Sequence, residues 1–310
     1  MLMKTLYEMF VNGTSLSLPH FLLAPYRSLP LLDLPAPSSG SGDEITLQIN
    51  PSDEFGLRAA PLPTVHSILL HGSRALNDAV PFSDTDALIV LDDSQPHSQR
   101  ELIGDIVRLR KLCCTLYSLD PLMHHGLMFL NASDLRAYDE SFLPVATLAE
   151  SRSLYGETRL RIRPQPNPPL DFCRRRFFDS VRNLCAYDFS PPPTQQDFIL
   201  KWHLSGILLL PALFLAAHGR FVHKRDSFAI AYGDYPNLRW DVVKTAERMR
   251  SDWQAVAIHP LHRLALHAFS CKARGMAARY YRQNYRRHAA ALPFLLQQLR
   301  DLGASAEAAL

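Results

Sequence analysis

The stretch HGSRALNDAVPFSDTDALIV, from His71 to Val90, holds the residues of this chain best suited to chemistry. Asp84 and Asp86 are separated by one residue and stand where an apolar run begins. Two carboxylates at i and i+2 of an extended segment point to one face. Like charges so close repel each other unless a cation lies between them. Carboxylate oxygens are hard ligands, suited to a Mg²⁺ ion that keeps part of its water and takes phosphate oxygens as further ligands. An ion held this way can clamp the attacking and leaving oxygens of a phosphoryl or nucleotidyl transfer. Upstream, Gly72 lets the backbone approach a phosphate closely, and Ser73 offers a hydroxyl donor. A helix starting just past them would add free N–H groups and a partial positive charge.

The elements that position these residues are legible on either side. VHSILLHGS reads as a strand ending in a tight turn, RALNDAV as a short helix or loop, and TDALIVLDD as a second strand. SQRELIGDIVRLRKLCCTL has apolar residues near helical spacing and reads as an amphipathic helix. LYSLDPLMHHGLMFL is expected to form two strands, or one with a break at Pro121. SDLRAYDESFLPVATLAESRSLYG reads as helical turns, with Ser133 as an N-cap. Beyond a proline-rich hinge at 163–171 the pattern is helical, over 171–187, 194–218, 224–232, 238–257, 260–284 and 287–303, with SPPPT separating the first two. The expected organisation is an irregular N-terminal extension over 1–60, an α/β (α+β) unit over 61–162 and an α-helical unit over 163–310. LPAPSSGSGDE, 34–44, has the composition of a linker.

G-S-R-A followed by S-D-x-D and an apolar strand resembles the signature of the DNA polymerase β-type nucleotidyltransferase superfamily. It is most similar to the bacterial branch of minimal and aminoglycoside-type nucleotidyltransferases. The resemblance covers residues 65–160 by motif and 165–300 by general plan. It implies a polymerase-β-like domain with a mixed sheet, followed by a C-terminal helical bundle. It further implies Mg²⁺ (or Mn²⁺) on Asp84 and Asp86, and an NTP gripped by Gly72, Ser73, Arg74 and Ser83. Transfer of an NMP, expected to be AMP from ATP, to an acceptor hydroxyl would release pyrophosphate. Asn77 stands where the branch often has a second glycine, and asparagine also tolerates a left-handed backbone. SRSLYGE, 151–157, is similar to the Leu-Tyr-Gly turn that often ends the catalytic domain in family members. In the resembled branch the helical domain often supplies a lysine to the triphosphate, and Lys224 in GRFVHKR is the candidate.

The superfamily also implies a third carboxylate from a neighbouring strand. The segment 121–130 carries His124 and His125 and no acid, with Asp120 just before it and Glu140, Glu150 and Glu157 after it. A histidine works as a general base near neutral pH, so His125 is the candidate for the role, with His124 as the alternative beside it. Relatives also take the base from the helical domain or across a dimer, and a homodimer stays open.

Charged residues make up 20 % of the 310-residue chain and the net charge is +3, too small a sum to announce a nucleic-acid partner. The last third is nevertheless basic, including RYYRQNYRRH at 279–288, whose tyrosines at helical spacing read as core or rim. Five cysteines without CxxC spacing fit a reducing, cytoplasmic setting rather than a disulfide or zinc framework. LSGILLLPALFLAAHG, interrupted by Pro211, reads as a buried helix kinked at the proline, and no membrane is expected as a partner. The acceptor stays open among a small molecule, a protein and an RNA end. Two alternatives stand beside the transferase: a binding or regulatory protein with weakened chemistry, and an RNA-directed nucleotidyltransferase.

Overall fold

The structure is a computed structural model that describes Lys4, Tyr7, Glu8, Val11 and residues 43–57, 61–123, 126–140, 142–165, 168–186, 196–257 and 281–310. The linker reading at 34–42, the SPPPT turn, most of the 260–284 helix and both His124 and His125 lie outside the described residues. The described strands are β1 (Ile45–Gln48), β2 (Asn50–Pro51), β3 (Val65–His71), β4 (Asp86–Leu91), β5 (Met128–Asn131), β6 (Arg152–Gly156) and β7 (Arg159–Ile162). A five-stranded mixed sheet runs in the order β2-β6-β3-β4-β5, and β1 pairs with β7 beside it. β3 is antiparallel to both β4 and β6, whereas β4 runs parallel to β5. That parallel pair needs a crossover, and α2 (Gln99–Leu119) provides it.

Strand parity sorts the sheet into two faces. Ile68, Leu70, Ala87, Ile89 and Leu91 pack under α2 with Ile106, Leu109, Leu112 and Leu116. Leu69, Leu88 and Val90 pack on the opposite face with Leu160 and Ile162. Asp86 shares the parity of Leu88 and Val90, and its cross-strand neighbour is His71. α2 begins at a capping box: Glu101 N–H donates to Ser98 Oγ at 3.3 Å, and Ser98 N–H donates to Glu101 Oε2 at 2.8 Å.

The helical part comprises α4 (Leu170–Cys185), α5 (Gln196–Ile207), α6 (Leu210–Ala217), α7 (Lys224–Asp234), α8 (Asp241–Ser251), α9 (Gln283–His288) and α10 (Leu292–Glu307). Two single-turn helices, α1 (Gly72–Ala75) and α3 (Val145–Ala149), belong to the α/β part. Leu204, Phe214, Val242, Leu295 and Leu299 are fully buried in a core that also takes Phe82 and Leu122 from the α/β part. The segment Gln196–Ala217 is long and apolar enough to cross a membrane by composition, but most of it is buried inside the protein. It does not run as one kinked helix. It breaks before Pro211, which sits in the first turn of α6, where its missing N–H costs nothing.

Several local expectations differ from the structure. Two strands, β1 and β2, lie inside the segment expected to be irregular, and Tyr7 and Val11 are buried under the sheet. Residues 116–119 continue α2 instead of starting a strand, because Leu116 and Tyr117 stay on its buried stripe. SRSLYG is strand β6 and not helix or terminal turn. Gly156, at φ 73°, closes against β3 so tightly that a Cβ there would lie 2.0 Å from the His66 carbonyl oxygen. Ser133 is not a cap. Asn131 begins that 3₁₀ turn, and Ser133 N–H donates to Asp93 Oδ1 at 2.9 Å.

Candidate functional site

β3 ends at His71, and the chain turns at Gly72 with φ 71°, a left-handed conformation that glycine adopts without steric cost. A Cβ on Gly72 would lie 2.7 Å from Asp86 Oδ2, so the missing side chain makes room for that carboxylate. α1 follows for one turn, and Asp78 N–H donates to the Ser73 carbonyl at 3.0 Å. Asn77 is left-handed at φ 59°, a conformation that asparagine tolerates. Ser73 and Arg74 are half-buried. Arg74 Nε is buried without a hydrogen-bond partner among the described residues, leaving a donor unused beside the turn. The Ser83 hydroxyl accepts the Val80 N–H at 3.1 Å and tightens the loop before the aspartates.

Asp84 lies just before β4 and Asp86 is its first residue. The loop carrying them is anchored from the helical side, where Phe82 meets Trp253 edge-on at 5.1 Å between ring centroids. Across the gap stands Asp120, the residue that ends α2. Its Oδ1 accepts the Leu122 N–H at 3.0 Å, which fixes the carboxylate relative to the helix end. Its Oδ2 is 2.5 Å from Lys201 Nζ, and the same Nζ is 2.6 Å from Asp84 Oδ1. The Lys201 side chain is 1 % exposed, and its ammonium lies 5.7 Å from the centre of the Phe82 ring.

The electrostatics of this cluster follow from burial. Asp120 is pushed up to about 7, first by loss of water, with Lys201 opposing and the adjacent Asp84 adding to the rise. Burial works against the charge on Lys201, but Asp120 and Asp84 more than offset it and its pKa is raised. Lys201 therefore stays an ammonium, and Asp120 holds a proton more readily than an ordinary carboxylate. Lys224, the first residue of α7, is a second cation of the site. Burial lowers its pKa, while Asp86, and more weakly Asp84, hold the charge against that loss. It does not sit at a helix C-terminus, where the dipole would favour a cation, so the carboxylates account for its placement.

The structure thus brings together Gly72, Ser73, Arg74, Asp84, Asp86 and Lys224. It adds two residues that sequence reasoning had not joined to them, Asp120 and Lys201. Asp120 was visible as an acid just before 121–130, but its neighbours depend on where α2 ends. Lys201 carried a signal, a lysine on the apolar stripe formed by Leu200, Leu204 and Ile207, although nothing local names its partners. Glu140 and Glu150 go elsewhere. Glu140 accepts the Val145 N–H at 3.0 Å, and Glu150 lies 3.1 Å from the Arg225 guanidinium. In the basic C-terminal segment, Asp197 accepts the Tyr285 N–H at 2.7 Å, and Tyr281 and Tyr285 pack against the helical core.

Among the described residues no group of three or more His, Cys, Asp or Glu side chains is placed to hold a metal ion. Asp84 and Asp86 form a two-carboxylate set. Such a set fits an ion that arrives with a nucleotide and draws its other ligands from phosphates and water. Comparison of the chain with protein-family models, with curated proteins and with solved structures finds no match.

Proposed function

We propose that this protein is a nucleotidyltransferase with a polymerase-β-like α/β part, moving AMP from ATP to an acceptor hydroxyl with release of pyrophosphate. The observation that carries the reading is the convergence at one strand mouth of the Gly72 turn, Asp84 and Asp86, with Asp120 and Lys224 facing them from other elements. Asp84 and Asp86 would hold a Mg²⁺ or Mn²⁺ ion, which supplies charge neutralisation at the phosphates when bound. The backbone past Gly72 and the Ser73 hydroxyl donate to the outer phosphates, and the unused Arg74 Nε adds a charged donor. Lys224 offsets the charge that the triphosphate brings beside Asp86. The acceptor oxygen attacks the α-phosphorus, the bond from that phosphorus to the bridging oxygen breaks, and pyrophosphate leaves. The hydroxyl proton passes to Asp120, a buried carboxylate whose affinity for protons suits a general base near neutral pH. Positioning and charge neutralisation account for most of the rate.

Calorimetric titration with ATP, CTP, GTP and UTP, with and without Mg²⁺, tests the reading. Binding that requires Mg²⁺ and vanishes in the Asp84→Ala/Asp86→Ala double variant is the expected result. A chain that binds no nucleotide in either condition overturns it and leaves a binding or regulatory role.

A further inference from the structure

We propose that Lys201 is the resident cation of this site and takes the place of a second metal ion, so that the chain works with the single divalent ion its nucleotide brings. The inference rests on the nucleotidyltransferase reading and deepens it. In two-metal phosphoryl-transfer sites the ions lie about 3.5–4 Å apart and hold the attacking and leaving oxygens between them. Asp84 interacts directly with Asp120, and it shares with Asp86 an attraction for Lys224. The second ion of such a pair would lie between Asp84 and Asp120. That position holds the Lys201 ammonium, 2.6 Å from one carboxylate and 2.5 Å from the other.

The lysine is built in. It projects from the middle of α5, on the stripe of Leu200, Leu204 and Ile207, and the whole residue is 0 % exposed. Its stem is walled by that core and its head by the Phe82 ring. Moving it aside would strand a buried charge. Asp120 is equally committed, because Oδ1 accepts the Leu122 N–H and Oδ2 meets Lys201. A divalent ion would need oxygen ligands at about 2.0–2.1 Å in near-octahedral array, in space the ammonium fills. Asp86, whose Oδ2 abuts the Gly72 turn, stays on the nucleotide side, where its charge acts on Lys224.

The test counts Mn²⁺ bound per complex of full chain and a non-hydrolysable ATP analogue, reading free Mn²⁺ by electron paramagnetic resonance. The wild type is expected to hold one ion per complex, and Lys201→Met to gain a second. Asp120→Asn, which keeps Lys201 on Asp84, is expected to hold one ion with affinity within about threefold of wild type. Should the methionine variant not fold, the wild-type count and the asparagine variant decide the matter. Two ions per wild-type complex, a folded Lys201→Met that still holds one, or a loss of about tenfold or more in Asp120→Asn overturns the assignment. Two ions bound with nucleotide would overturn this inference alone, whereas failure of the analogue to bind at all would overturn the nucleotidyltransferase reading with it.

Discussion

Replacing Lys201 by methionine keeps the length of the side chain and removes its charge. Asp84 and Asp120 would then face each other, largely out of water, with no ammonium between them. Breaking a buried ion pair by deleting one partner typically costs about 3–5 kcal/mol. The cost should depend on pH in a definite sense. Asp120 already binds its proton more tightly in the folded protein than the ordinary value of 3.8. Without Lys201, Asp120 retains its proton to still higher pH, while the unfolded chain has released it. Each proton held in excess by the folded state lowers stability by about 1.4 kcal/mol per pH unit as pH rises. The wild type already keeps this proton up to about pH 7, so the added pH-dependent loss in the variant accrues above pH 7 and reaches up to about 1.4 kcal/mol by pH 8. In urea denaturation without divalent ions, Lys201→Met should therefore lose about 3–5 kcal/mol at pH 8, about 1.4 kcal/mol more than it loses at pH 6. Adding Asp120→Asn should recover part of the loss at pH 8. A deficit of the same size at both pH values, or one below about 1 kcal/mol at pH 8, would refute the charge argument.

Gly72→Ala should lower stability by roughly 1–2 kcal/mol for the left-handed backbone and abolish Mg-ATP binding, since its Cβ would press on Asp86; calorimetry reads both. Asn77→Gly should be neutral or slightly stabilising in thermal unfolding, whereas Asn77→Val should destabilise, because a β-branched residue tolerates φ 59° poorly. Buried His203, its pKa lowered by burial from 6.5 to about 4, must stay neutral in the folded chain. Stability should fall as pH drops from 6.5 toward 4, by about 3 kcal/mol at most, and His203→Leu should flatten that part of the urea-denaturation profile. Ser98→Ala, which removes the capping box of α2, should cost about 1 kcal/mol in the same assay.

What could be read from the chain, and what could not, divides along the range of the interactions. The strands ending at His71 and beginning at Asp86 follow from short apolar runs bounded by a glycine and by polar turns, and both form. The helical stop before Pro211 follows from the chemistry of proline, although the break replaces the expected kink. β1, β2 and β6 were harder to see. β2 has two residues, and the alternation of β1 is weak beside the linker composition that precedes it. SRSLYG reads as a strand only once β3 is present to pair with it. The same distinction holds at the site. Gly72, Asp84 and Asp86 lie within fifteen residues of one another, and their spacing announces their chemistry. Asp120 and Lys201 are 81 positions apart, and only the folded chain brings them together.

That long-range pair bears on the proline-rich segment between Ile162 and Leu170. By topology it separates a sheet part from a helical part. By energetics the two are joined where the charge is densest. Asp84 and Asp120 belong to the first part, and the ammonium that makes their burial tolerable belongs to the second. Phe82, two residues before Asp84, and Leu122, two residues after Asp120, are both buried in the helical core. Each acidic residue of the bridge is thus flanked by a hydrophobic anchor in the other part. An isolated α/β part would present two apolar side chains to water and leave two neighbouring carboxylates without their cation. The helical part alone would carry a lysine on its buried stripe with no counter-charge, which a protein interior does not tolerate. The seam is therefore a condition for either part to hold its present form, and a nucleotide entering at Asp84 and Asp86 would meet a site whose geometry both parts maintain.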